Sequence, residues 1–220
     1  IKKIILTLVL IMLCSCSSMK QEVEYKDSQS YEFKKKVWEA NTHEDAVMIA
    51  IHGYNDYSNS FQIPATFLTK SRISTVSFDL RGFGMNEDSG SWFPLSVHIN
   101  DVAFFIRDMR NNFPKKKIFL LGESMGGAIV ISTLVRNEDL QIDGVILVAP
   151  AIWNFSEMNP VKKIFLSILS TLLPNLKLDG GDLIKVTACN NVEVLKALAK
   201  DKYFIHKPNL KSLNGITELM

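Results

Sequence analysis

Cysteine is scarce in this chain and unevenly placed. Of three in 220 residues, Cys14 and Cys16 stand at the very start, which leaves Cys189 alone in the body of the protein. A lone cysteine closes no intramolecular disulfide, so stability has to come from packing. Charge of one sign is also missing: 25 Lys and Arg against 23 Asp and Glu leave a formal charge of +2, which provides no electrostatic footprint for nucleic acid. Histidines number only four, and no His, Cys and Asp cluster has ligand spacing, so neither a metal nor an organic cofactor is implied. No internal repeat or low-complexity tract is visible. The first apolar run, Ile4 to Leu13, stops well short of the ~20 residues that span a bilayer. What the chain does have is apolar content, 47% of its residues, enough for one substantial core.

Lys2 and Lys3 before that short apolar run have the form of an export signal. The following Leu13-Cys14-Ser15-Cys16-Ser17 resembles the lipobox of bacterial lipoproteins, with leucine three residues before Cys16 and a small residue directly before it. The resemblance implies a lipoprotein signal peptide over residues 1–16 and a lipid on Cys16. The protein would then be exported and held at a membrane, on the periplasmic or outer-membrane face in a Gram-negative host. An ordinary cleaved signal with incidental cysteines is the alternative. Residues 17–30 are polar and aperiodic, as suits a tether.

Beyond the tether, Tyr31 to Trp38 alternates like an edge strand, while Ala46 to Ile51 is continuously apolar, as in a strand buried on both faces. Ile73 to Phe78, Lys117 to Leu121 and Gly144 to Ala149 are further short strands. Helical periodicity lies between them at about 58–70, 97–112 and 125–136. Strands alternating with helices predict an α/β fold with a mostly parallel sheet flanked by helices. After Pro150 the alternation stops. Residues 161–173 put Val161, Ile164, Phe165, Ile168, Leu169 and Leu172 on one helical face and Lys162, Lys163, Ser167, Ser170 and Thr171 opposite, and further helices fit 192–200 and 209–220.

The chemistry concentrates at Gly122-Glu123-Ser124-Met125-Gly126-Gly127, where a strand runs through G-x-S-x-G into a small-residue helix. That is a nucleophile elbow, in which Gly122 and Gly126 make room for the strained turn that exposes a catalytic serine, Ser124. Acyl transfer places negative charge on the carbonyl oxygen, so two backbone N–H groups should converge there. Met125 supplies one, and Tyr54, in the loop after His52-Gly53, supplies the other. His52 shapes that loop, because in this architecture the base follows the nucleophile in the chain. Asp79-Leu80-Arg81-Gly82-Phe83-Gly84 forms a second glycine-rich turn, in which Asp79 and Arg81 fix the loop by hydrogen bonds and an ion pair. A triad acid is the other reading of Asp79. Of the four histidines only His206 follows Ser124, and its surroundings read as a surface or packing site.

Together His52-Gly53, the Asp79 to Gly84 turn, the Gly122 to Gly127 elbow and Ala149-Pro150 resemble the α/β-hydrolase superfamily. The match is to its bacterial lysophospholipase and monoacylglycerol-lipase-like group, also labelled serine aminopeptidase-like, from about residue 35 to the end. The resemblance implies a hydrolase core over 31–150 and a helical cap and cap exit over 151–220, following the sixth strand. It implies a small-molecule acyl-ester substrate, a lysophospholipid or monoacylglycerol, cleaved through an acyl-enzyme on Ser124. In this group the triad Asp and His follow the cap, and neither is present by Met220. The 220-residue chain is therefore expected to be an inactive fragment whose sheet lacks its last strands. A peptidase of the proline iminopeptidase type is the competing enzyme, and a non-catalytic surface lipoprotein or pseudogene product the competing class.

Overall fold

The computed structural model describes residues 27–41, 43–152, 159–178 and 190–219. The export signal, Cys16, Cys189 and residues 17–26 of the expected tether lie outside them.

Five strands make one sheet in the order β1-β3-β2-β4-β5, with β1 (Lys35–Trp38), β2 (Ala46–Ile51), β3 (Ile73–Phe78), β4 (Lys117–Glu123) and β5 (Gly144–Val148). β1 runs antiparallel to β3 at one edge, pairing Val37 with Val76, and all other pairings are parallel. The central strand is β2, whose six residues are all buried, as its unbroken apolar run requires. A 3-10 turn (Ser58–Phe61) and α1 (Gln62–Thr69) connect β2 to β3, α2 (Leu95–Asn112) connects β3 to β4, and α3 (Met125–Arg136) connects β4 to β5.

The core lies between β2 and helices α2 and α3, where Ile49 and Ile51 meet Val102, Ile106, Ile129 and Val130. Each such side chain contributes roughly 1.5–3 kcal/mol on burial. Aromatics extend the core towards β1: Phe78 stacks on Phe105 with ring centroids 3.7 Å apart, and Phe33 meets Phe78 and Phe105 edge-on at 5.4 and 5.1 Å. Residues 28–30, expected in the tether, form a turn in which Ser28 is buried and donates to Asp101 Oδ1 at 2.7 Å.

Among the described residues β5 is hydrogen-bonded to β4 alone, and its consecutive Val145, Ile146, Leu147 and Val148 remain 40–45% exposed. Because successive strand residues point to opposite faces, both faces of β5 are uncovered by the described residues.

The helical region follows this fifth described strand, not a sixth, and comprises α4 (Pro160–Leu172), α5 (Val192–Leu198) and α6 (Leu210–Leu219). α4 starts on Asn159, whose side chain accepts from Val161 N, with Pro160 in the first turn. Most of its apolar stripe is exposed. Small Ser170 is its buried residue, while Val161, Ile164, Phe165, Ile168 and Leu172 are 54–73% exposed. No helix among the described residues is long and apolar enough to cross a membrane.

Candidate active site

β4 and α3 meet at Ser124, which adopts φ 49° and ψ −116°, a region that costs a non-glycine residue about 1–3 kcal/mol. The surroundings hold it there. Its N–H donates to Val148 O at 2.9 Å, and its carbonyl accepts from Gly127 N at 3.0 Å and Ala151 N at 2.8 Å. The glycines are dictated by crowding. A Cβ on Gly126 would lie 2.2 Å from Ile51 O and 2.6 Å from His52 O, and one on Gly122 would lie 2.7 Å from Gly127 Cα. Helix α3 thus begins hard against the end of β2, with Ser124 at its positive N-terminal end.

Gly53 stands beside the serine, since a Cβ there would be 3.4 Å from Ser124 Cβ. Tyr54, next along, is anchored through its ring and hydroxyl: the ring meets Phe83 and Trp92 edge-on at 6.0 and 6.3 Å, and Oη shares a 2.8 Å hydrogen bond with Ser212 Oγ of α6. Burial pushes the Tyr54 hydroxyl up to about 12. Met125 is the first residue of α3, where a backbone N–H has no partner inside the helix. The arrangement brings the Gly53-Tyr54 backbone and the start of α3 to one place around Ser124.

His52 has no ring nitrogen left for proton transfer. Nδ1 donates to Gly53 O at 2.8 Å and Nε2 accepts from Leu80 N at 2.9 Å, which fixes the tautomer and ties the Gly53 loop to the Asp79 loop. Full burial lowers its pKa to about 4, so the ring is neutral. His98 is equally buried, with its pKa lowered to about 3 by burial, and it packs against Trp92 and Phe83. His43 is exposed just before β2, and His206 Nε2 is paired with Asp201 O at 2.9 Å between α5 and α6. Among the described residues no histidine is hydrogen-bonded to Ser124.

Asp79 accepts from Ser58 N at 2.9 Å and Met85 N at 2.7 Å, one bond on each oxygen, and is fully buried. It clamps two loops. Gly84, at φ 61°, leaves no room for a Cβ, which would come 2.3 Å from Asp79 Oδ2, and Gly82, at φ 83°, is closed in the same way by Ser91 O at 2.0 Å. The ion pair of this loop is not made with Asp79. Arg81 donates to Asp101 of α2 from Nε and Nη2, both at 2.8 Å, and its guanidinium lies 4.2 Å over the Tyr31 ring. Burial raises the Asp101 carboxyl, and the bonds from Arg81 and Ser28 pull it back. Sequence reasoning missed Asp101, although an aspartate between Ile99 and Val102 on a core-facing helix was a signal for a buried cation. Asp56, pushed up to about 6 chiefly by burial, and Glu123, raised for the same reason, also border the elbow.

The profile of one family, described as serine aminopeptidase S33, matches residues 42–220. The chain belongs to that family. Among curated relatives, this S33 chain is 27% identical over 168 residues to phospholipase YtpA of Bacillus subtilis, covering 76% of the chain and 63% of YtpA. It is 28% identical over 163 residues to human monoglyceride lipase, covering 72% of the chain and 52% of the lipase. The chain thus spans between half and two thirds of the length of these relatives. Among solved structures, the monoacylglycerol lipase of Paleococcus ferrophilus superposes with a TM-score of 0.68 at 19% identity, covering 86% of this chain and 70% of that one. The monoglyceride lipase of Saccharomyces cerevisiae, in complex with a substrate analog, gives 0.69 at 18%, covering 92% and 69%. These likenesses show the α/β-hydrolase fold.

Proposed function

We propose that the protein is a serine hydrolase of small carboxylic esters, with a monoacylglycerol or lysophospholipid as substrate. The observation that carries this reading is Ser124 held at φ 49° between β4 and α3, with Gly53 packed against it. Ser124 Oγ attacks the ester carbonyl as a base removes its proton. The Tyr54 and Met125 N–H groups receive the oxyanion, and its collapse expels the alcohol, which takes up that proton and leaves an acyl-enzyme that water then hydrolyses. The names of the YtpA and monoglyceride lipase relatives support an ester of this kind.

On this reading the base and its orienting acid belong to polypeptide that follows the cap, and strands from the same segment cover β5. The support is chemical: His52 and His206 are already hydrogen-bonded elsewhere, and the β5 edge is uncovered by the described residues. Without a base Ser124 is a weak nucleophile, so the 220-residue chain alone is inactive. Export and anchoring through Cys16 complete the proposal and rest on the sequence around it. The test is p-nitrophenyl butyrate hydrolysis. The isolated chain gives no sustained turnover, whereas an extended chain supplying a late Asp and His gives turnover that Ser124→Ala abolishes. Sustained, Ser124-dependent turnover by the isolated chain would overturn the assignment of the base.

A further inference from the structure

The loop that follows β2 reads Gly53-Tyr54-Asn55-Asp56-Tyr57-Ser58, and two different parts of the molecule hold it. Its ends belong to the core. Gly53 O accepts from His52 Nδ1 at 2.8 Å, and Ser58 N donates to Asp79 Oδ1 at 2.9 Å. Between them Asn55 adopts φ 66°, a left-handed conformation that asparagine tolerates better than most residues. The middle of the loop is tied to α6 and to the segment before it, residues 201–209. Tyr54 Oη meets Ser212 Oγ at 2.8 Å, and Asn55 O accepts from Ile205 N at 2.9 Å. Tyr57 Oη donates to Asp201 Oδ2 at 2.7 Å, and the Tyr57 ring lies 5.8 Å from that of Tyr203.

The direction of the Tyr54 bond follows from what Ser212 already does. Its hydroxyl proton goes to Asn209 O at 2.9 Å, so its oxygen is left to accept from Tyr54. The same Asn209 fixes the start of α6: its Oδ1 accepts from Ser212 N at 2.8 Å, and its Nδ2 donates to Gly90 O at 2.7 Å. α6 also presses on the aromatic support of the loop. A Cβ on Gly215 would lie 2.0 Å from the Trp92 ring, and that ring meets Tyr54 edge-on at 6.3 Å. Tyr54 is therefore held at its hydroxyl by α6 and along its ring by a residue that α6 packs against. A phenol ring turns about only two side-chain torsions, so where it is fixed limits where the Tyr54 backbone N–H can point.

We infer that Ser212 and Asp201 are positioning residues for the oxyanion: through Tyr54 and Tyr57 they hold the loop so that the Tyr54 N–H meets the charge that develops beside Ser124. The inference rests on the acyl-ester reading of Ser124 and makes that chemistry depend on residues 158 and 144 positions away from the tyrosines they hold. The core bonds fix the ends of the loop, and a donor displaced by about an ångström loses much of its worth in the transition state. On this account neither residue touches the ester, so their effect falls on kcat and not on KM.

The test is steady-state hydrolysis of p-nitrophenyl butyrate by a chain completed with its base, in Tyr54→Phe, Ser212→Ala, Tyr57→Phe and the Tyr54→Phe, Ser212→Ala double variant. Each single variant lowers kcat about 10-fold, short of the roughly 10²- to 10³-fold lost with an oxyanion donor itself, and leaves KM within about twofold. The double variant is no slower than the slower of its two singles, because both changes break one bond. Unchanged kcat in the folded singles overturns the inference. So does a rise in KM at constant kcat, which would mark a wall of the substrate site, and so do losses that add in the double variant. Should Ser212→Ala not fold, Tyr54→Phe decides alone, since it deletes one oxygen and leaves both Asn209 bonds of Ser212 in place. Amide exchange on the 220-residue chain needs no base and separates the two ideas. In Tyr54→Phe the Asp56 and Ile205 amides exchange about fivefold or more faster while those of β2 do not change, and unchanged exchange overturns the positioning role. Faster exchange without Ser124-dependent turnover removes only the acyl-enzyme. Turnover with kcat and exchange both unchanged removes only the positioning role.

Discussion

Asp101→Ala removes the counter-charge of Arg81 at a place where neither partner can turn to water. Both side chains are almost fully buried, at 0% and 2% exposure. Asp101 accepts two bonds from the guanidinium and a third from Ser28, so the substitution removes the acceptor of two N–H groups of a buried cation and of one hydroxyl. Breaking such a pair from one side costs about 3–5 kcal/mol, a large fraction of the 5–15 kcal/mol by which domains are stable. For a chain of this size it corresponds to a melting temperature lower by roughly 10 °C. Replacing both partners, Arg81→Met with Asp101→Leu, leaves no charge behind and recovers most of the loss. Urea unfolding followed by tryptophan fluorescence measures all three variants, since Trp92 lies close to the loop that Arg81 holds. A single variant that loses less than about 1 kcal/mol, or a double variant as unstable as the two singles summed, would refute this account of the loop.

Other substitutions follow from the same geometry. Gly126→Ala forces a Cβ to 2.2 Å from a backbone carbonyl that cannot give way, so it costs about 3 kcal/mol or more or yields insoluble protein, scored by soluble expression and thermal unfolding. The pH dependence carries a definite sign for His98. Its folded pKa of about 3 lies below the unfolded 6.5, so as pH falls below 6.5 the unfolded chain binds a proton that the fold refuses. From pH 7 to pH 5 this removes about 2 kcal/mol of stability. His98→Phe flattens that part of the acid limb, and an unchanged pH profile would count against a buried neutral ring. On the β5 edge, Leu147→Lys raises the concentration at which the isolated chain begins to associate, measured by light scattering, because a charge on an open strand blocks edge pairing.

Much of this architecture is legible in the chain because its signals are local. Ala46 to Ile51 is continuously apolar and Ile73 to Phe78 is rich in β-branched residues, and both are strands over those same residues. The elbow is equally readable, since its glycines answer steric demands that permit nothing larger. What escapes a one-dimensional reading depends on partners distant in sequence. Asp101 looks like a flaw in an apolar helical face until Arg81, 20 positions earlier, is placed against it. Ser28 looks like part of a polar tether until the same carboxylate receives its hydroxyl. In α4 periodicity identifies an apolar stripe but cannot say which side packs, and here Ser170 is buried while most of the stripe is exposed.

On the proposed reading Ser124 is a poised nucleophile whose base lies outside the described residues. Labelling by a fluorophosphonate probe tests it most directly, comparing the 220-residue chain, a chain extended by the segment bearing the late Asp and His, and Ser124→Ala in each. The account predicts fast labelling of the extended chain, labelling of the short chain slower by at least about a thousandfold as for loss of a triad member, and none in either serine variant. Fast labelling of the short chain, or labelling that survives Ser124→Ala, would contradict it.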